Sequence, residues 1–194
     1  MSTFTIASIV EGDGEVQAVP ILIRRIYSEI LGIHNPIIRK PWRLPRAKMT
    51  KAHELHKVVD VVSQGIDGAG GILIVLDQDD DSCVVELAES LTSGATVTCP
   101  VESVVACREY EAWFLAAIES LRSHRSMKDS ASYVGDPELP RNAKKKLELQ
   151  MLESYRETLH QSSFSNIIDL RAAAESSRSF ARMITALKKL APPE

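Results

Sequence analysis

Phe4 to Val10 is a short run rich in Ile, Val and Thr that stops at Glu11-Gly12-Asp13-Gly14, which predicts a strand and its exit loop. From Glu15 to Leu31, Val16, Val19, Leu22, Ile23, Ile26, Tyr27 and Ile30 recur every three or four positions, so a helix is expected. Gly32 stops it, and Pro20 must lie near its first turns. Asn35 to Lys40 reads as a second strand, Pro41 to Arg46 as a basic loop holding Trp42, and Thr50 to Gln64 as a helix. After Gly68-Ala69-Gly70-Gly71, Ile72 to Leu76 is continuously apolar, as befits a strand covered on both faces. It ends in Asp77-Gln78-Asp79-Asp80-Asp81. A helix over Ser82 to Leu91, a strand over Val101 to Cys107 and a helix over Arg108 to Leu121 follow. Beyond the polar stretch Ser123 to Pro140, helices are expected over Arg141 to Gln161, Asn166 to Glu175 and Ser176 to Leu190.

Strands alternating with helices predict an α/β, Rossmann-like fold with a parallel sheet and right-handed crossovers. The expected division is an α/β core over residues 1–122 and a helical extension over 123–194 packed on the same domain. At 194 residues the chain suits one compact core, and its net charge of −3 gives no bulk attraction to nucleic acid or membrane. Phosphate binding must then be local or metal-mediated. Cys83, Cys99 and Cys107 form no Cys-x-x-Cys pair, the start lacks a basic segment followed by an apolar run, and no stretch approaches a bilayer span. The reading is cytoplasmic, without membrane attachment.

Ligands collect at the carboxyl ends of parallel strands, and two of the expected strands end in acidic loops. Glu11 leaves the first; Asp77 and Asp79 leave the third. Gly12 and Gly14 clear space beside Glu11, while Asp77 and Asp79, two apart on an extended backbone, would point the same way and share a hard divalent cation. Capping offers another explanation, since Asp81 or Ser82 could close the helix that follows and Glu15 could complement its own helix dipole. Both loops acting together favour a metal held between Glu11, Asp77 and Asp79, because converging carboxylates without a cation repel one another. Glu111 either approaches the metal cluster from the start of its helix or bonds backbone while Trp113 and Phe114 fill core. No Gly-x-Gly-x-x-Gly or P-loop is present. Asp77, Asp79 and Asp81 match the start of a calcium loop, but Ser82 and Ala88 stand where its glycine and glutamate belong. His53-Glu54-Leu55-His56 is one residue short of a zinc-protease motif.

Glu11-Gly-x-x-Glu15, Asp77-x-Asp79 and Glu109-Tyr-Glu111-Ala-Trp113-Phe-Leu, in that order, resemble a TOPRIM-like family, domain of unknown function 4276, related to the nuclease domains of OLD proteins. The resemblance covers about the first 120 residues well and the tail loosely, through Lys144-Lys145-Lys146 and Tyr155-Arg156. It implies Mg²⁺-dependent phosphodiester hydrolysis, with Mn²⁺ as substitute, water as nucleophile and Glu11 near the reacting oxygen. Asp77 and Asp79 would bind Mg²⁺, Glu15 and Asp81 a second ion, and Lys145 would support charge on the phosphoryl group, with Lys144 and Lys146 competing for that role. A partner ATPase in phage or plasmid defence is implied as well.

The loop from Arg39 to Lys51, with Trp42 inside it, is the expected nucleic-acid contact, through Trp42, Arg43, Arg46 and Lys48, with Lys144, Lys145 and Lys146 added; DNA is preferred to RNA, and a homo-oligomer is admitted. An ordinary solvated loop is the plainer reading. Two other functions compete: a non-catalytic subunit of an ATPase, and a receiver-like module whose aspartate accepts a phosphoryl group.

Overall fold

The computed structural model describes residues 3–80 and 83–192, so Asp81 and Ser82, expected as a metal ligand and a helix cap, lie outside the described residues. Strands β1 (Phe4–Val10), β2 (Pro36–Ile38), β3 (Trp42–Arg43), β4 (Gly70–Asp77) and β5 (Val101–Ala106) form one sheet in which every pairing is parallel. Its order is β2-β1-β4-β5, and β3 continues the β2 edge of β1. Arg39 N–H donates to the Ile6 carbonyl and Leu44 N–H to that of Val10, so residues 36–44 form one edge broken at Lys40-Pro41. Part of the expected basic loop is therefore sheet edge. At Gly70, φ is +127° and a Cβ would meet the Thr5 carbonyl oxygen at 1.9 Å, so only glycine lets β4 start this close to β1.

The α/β Rossmann-like class stands, because both sheet faces are covered. Ala7, Ile9, Ile72, Ile74 and Leu76 face one core with Leu55 and Val59 of α3 (Ala52–Ser63) and Leu91 of α4 (Val84–Thr92). Met49 of the short α2 (Arg46–Met49) joins them. Phe4, Ile6, Val10, Leu73, Val75 and Val104 face the other core. There they meet α1 (Glu15–Arg25), α5 (Glu111–Ala116), α7 (Glu157–Ile167), α8 (Leu170–Ser176) and α9 (Arg178–Leu190). The amphipathic pattern of residues 15–31 is realised as α1 followed by a π-helical turn at Ile26–Ile30, inside which the Tyr27 hydroxyl donates to the Leu187 carbonyl.

Two expected helices are broken. The stretch 108–121 is α5 followed by a 3-10 turn at Ile118–Ser123, with Ala117 between them at φ −134°, ψ 36°. The stretch 141–161 is α6 (Ala143–Glu148), an irregular segment, and then α7. Met151 bridges Met127, and Leu152 N–H and Lys128 N–H donate to Ser126 and Gln150 carbonyls, so pairing with residues 126–128 replaces helix there. Among the described residues, no helix is long and apolar enough to cross a membrane.

Candidate functional site

The register Val10↔Val75 continues to set Glu11 opposite Leu76, one residue from Asp77, so their Cα atoms should lie about 6 Å apart given the strand spacing and rise. Asp77 follows Leu73 and Val75 onto the α1 face, where α1 and α5 each deliver a carboxylate from their first residue, Glu15 and Glu111. These four acids, with Glu157 and Gln161 of α7 and the backbone of Gly12 and Gly14, line a cavity of about 120 Å³.

Glu15 Oε2 accepts the N–H groups of Glu11 at 2.9 Å and Gly12 at 3.4 Å, so this buried carboxylate organises the β1–α1 turn. Glu111 Oε1 accepts the Tyr155 hydroxyl at 2.7 Å and the Gln161 amide at 3.0 Å. Asp77 Oδ1, Glu11 Oε2 and Gln161 Oε1 are buried without a hydrogen-bond partner. Burial raises the pKa of Asp77 well above the usual carboxylate range, and the charges of Glu15, Glu111, Glu11 and Asp79 add to it. Burial likewise pushes Glu15 up to about 8, against its two backbone hydrogen bonds. Burial raises Glu11 despite the opposing pull of Arg46, and raises Glu111 despite the donors Tyr155 and Gln161.

Asp79 departs from the expected geometry. The strand ends at Asp77, and Asp79 takes a left-handed φ of 52°, so the two aspartates do not alternate on an extended backbone. Its N–H donates to the Arg108 carbonyl, and Gln78 Oε1 accepts Arg108 N–H, which stitches the β4 and β5 exits together. Arg46, expected as a nucleic-acid contact, is built into this corner instead. Its guanidinium donates to the carbonyls of Asp77 and Gln78 and lies 3.5 Å from Glu11 Oε2 and 3.4 Å from Asp79 Oδ2. Hydrogen bonds to strand-exit carbonyls require the arginine to point inward.

The remaining basic residues are dispersed. Trp42 is exposed, Arg43 pairs with Asp13 at 2.9 Å, and Lys48, Lys145 and Lys146 are exposed and outside the cavity lining. Lys144 is tied to the cavity: its ammonium donates to Glu157, whose charge raises the lysine pKa although burial opposes it. Trp113 is core, with Nε1 donating to Ser179 Oγ at 2.8 Å. Tyr155, Glu157 and Gln161 were not singled out as site residues from sequence, because they fell within what reads as one continuous surface helix.

Among the described residues, no three His, Cys, Asp or Glu side chains are grouped so as to hold a metal ion as they stand. The donor chemistry nevertheless fits a hard cation. Asp77 Oδ1 has no hydrogen-bond partner and Glu11 Oε2 only the Arg46 guanidinium at 3.5 Å, both within a set of mutually repelling acids, and a divalent ion would satisfy Asp77 and reverse the repulsion. A family model described as "Domain of unknown function (DUF4276)" matches residues 10–188, which spans every residue of the cavity. Comparison with curated proteins and with solved structures finds no match.

Proposed function

The chain belongs to the DUF4276 family, and from that premise we propose that it is a Mg²⁺-dependent phosphodiester hydrolase of TOPRIM type, acting on nucleic acid, DNA before RNA, alongside a partner ATPase. One observation carries the reading: Glu11, Glu15, Asp77 and Glu111 converge on one cavity at the carboxyl end of a parallel sheet, with the buried Oδ1 of Asp77 left without a hydrogen-bond partner. Glu11 and Asp77, assisted by Asp79 at the rim, would hold Mg²⁺. When bound, the ion would neutralise phosphate charge, lower the pKa of water and steady the leaving oxygen. Glu11, opposite the end of β4 beside Asp77, would act at the reacting oxygen as the proton-transfer group. Arg46 fixes the loop that presents Asp77 through two carbonyl hydrogen bonds. Tyr155 and Gln161 orient Glu111 at the back of the cavity.

A second reading has an observation of its own. Arg46 already bridges Glu11 and Asp79, as it would in a structural corner, and this favours a non-catalytic subunit of an ATPase. The test is cleavage of supercoiled plasmid, linear duplex, single strand and RNA in Mg²⁺ or Mn²⁺, with and without a partner ATPase, against a chelator control. Cleavage should vanish in chelator and fall by about 10²–10⁴-fold in Glu11→Gln, the range expected for loss of a proton-transfer group. Inertness on all four substrates, or activity that survives Glu11→Gln, selects the non-catalytic reading.

A further inference from the structure

The break in the sheet edge opens a second cavity, of about 490 Å³, bounded by Arg39, Lys40 and Trp42 on one side and by Val61 and Val62 of α3 on the other. Trp42 is 45% exposed and pairs with Ile9 of β1, so it shares the α3 face of the sheet and its ring borders open space. The guanidinium of Arg39 lies against Gly65: a Cβ there would meet Arg39 Nη2 at 2.5 Å. Gly65 follows Gln64, the C-cap of α3, where the helix dipole favours a cation such as this guanidinium. The cavity thus offers two cations, a flat aromatic ring and a patch of valine, which together match an anionic backbone bearing an unstacked planar base.

Its position adds direction. Trp42 is opposite Ile9, two residues before Glu11, which sets its Cα about 8 Å from that of Glu11; this cavity opens on the α3 face and the acidic one on the α1 face, so a strand joining them passes around the β3 edge at the strand exits. A strand lying along this edge would run from Trp42 toward Glu11.

We propose that the cavity at the β2–β3 break binds a single-stranded nucleic-acid segment, with a base stacked on Trp42 and its phosphates on Arg39 and Lys40. The strand would be the one delivered to the acidic cavity, so the inference rests on the proposed nuclease reading. Duplex is disfavoured, because its bases are not free to stack on a side chain.

The test is fluorescence titration of the full chain in chelator, where cleavage cannot occur, using a single-stranded oligonucleotide, its duplex and a mononucleotide. Trp113 is fully buried and Trp42 exposed, so quenching by a stacked base reports Trp42. The single strand should quench and bind more tightly than either duplex or mononucleotide. Trp42→Ala should weaken binding, followed by anisotropy, roughly 5- to 150-fold, and Trp42→Phe should recover most of it. Lys40→Ala should weaken binding and reduce the salt slope by about 0.7, the single-strand value per phosphate contact. Preference for duplex, a mononucleotide that binds as well as the oligonucleotide, or affinity unchanged in Trp42→Ala each overturns the proposal. The two readings fail separately: quenching that persists in a protein without nuclease activity retains this cavity while rejecting hydrolysis, and active cleavage without quenching does the reverse.

Discussion

A methyl group at position 14 would sit 2.2 Å from Gln161 Oε1 and 2.9 Å from the Glu157 carbonyl carbon, so glycine is what lets α1 and α7 close around the acidic cavity. The amide can rotate away but the α7 backbone cannot. Gly14→Ala should destabilise by about 1–3 kcal/mol through overpacking, seen as a lowered Tm. Glu15 gives a second prediction at this scale. Its folded pKa, about 8, lies above the ordinary value of 4.5, so the folded state holds a proton that the unfolded state has released between those values. Its contribution to stability is fully present below pH 4.5 and is lost as pH rises through 8. Metal-free protein should therefore show a Tm that falls across that window, and Glu15→Gln, which still accepts from the Glu11 and Gly12 amides, should flatten the fall. A Tm that rises over the same window in the native protein would contradict the assignment. Glu11, Asp77 and the glycines between Glu11 and Glu15 were legible because a strand ending in acids beside glycine has few uses. The inward turn of Arg46 was not, because its partners are carbonyls, which sequence does not distinguish.

Among the elements, the strands and the helices directly between them followed their apolar patterns, while the segment from Glu148 to Glu157 did not. Ala143, Leu147, Met151 and Tyr155 are all buried at a spacing of four, the helical interval, with no glycine or proline among them. A loop nevertheless delivers the last two, because the backbone near Met151 finds partners at residues 126–128. Tertiary hydrogen bonds outweighed a local pattern that favoured helix. A comparable contact secures α9. Glu138, in the loop between the 3-10 turn and α6, accepts from Ser177 Oγ, Ser179 N–H and Ser179 Oγ at 2.6–2.7 Å. Burial would raise its pKa, yet these donors outweigh burial and hold it below the usual range. Ser179 Oγ in turn accepts from Trp113, so one carboxylate joins a loop, the start of α9 and the core. Glu138→Ala leaves those donors unmatched and should cost about 2 kcal/mol, or roughly 4–8 °C in Tm for a chain of this size. Hydrogen exchange should quicken at the first turn of α9, while unchanged exchange there would show that the helix is held from elsewhere.

Across the whole molecule, the helices after residue 122 are structural parts of the α/β core. Phe164 and Ile168 pack in the same cluster as Leu22 and Ile23 of α1, and Phe180, Met183, Leu187 and Leu190 of α9 cover the face formed by Leu73, Val75 and Val104. The sequence showed an amphipathic tail without showing which face it covers, since each helix pattern gives only its own apolar stripe. The acidic cavity depends on the same packing: Tyr155 and Gln161 bond Glu111, and Glu157 with Gln161 closes the cavity whose other walls come from the β1, β4 and β5 exits. A chain cut after residue 122 would leave Trp113, Phe114, Tyr27 and one face of the sheet open to water. Burial of each such side chain contributes about 1.5–3 kcal/mol, so the loss exceeds the 5–15 kcal/mol that stabilises a domain. We expect residues 1–122 to be expressed as an aggregating or molten chain with no cooperative urea transition, and the full chain to unfold in one step whether followed by far-ultraviolet circular dichroism or by Trp113 fluorescence. Adding residues 123–194 in trans should restore a cooperative transition if the two pieces can still meet. A fragment 1–122 that melts sharply by itself would show that the tail is an appended unit, and the acidic cavity would then have to function without its α7 wall.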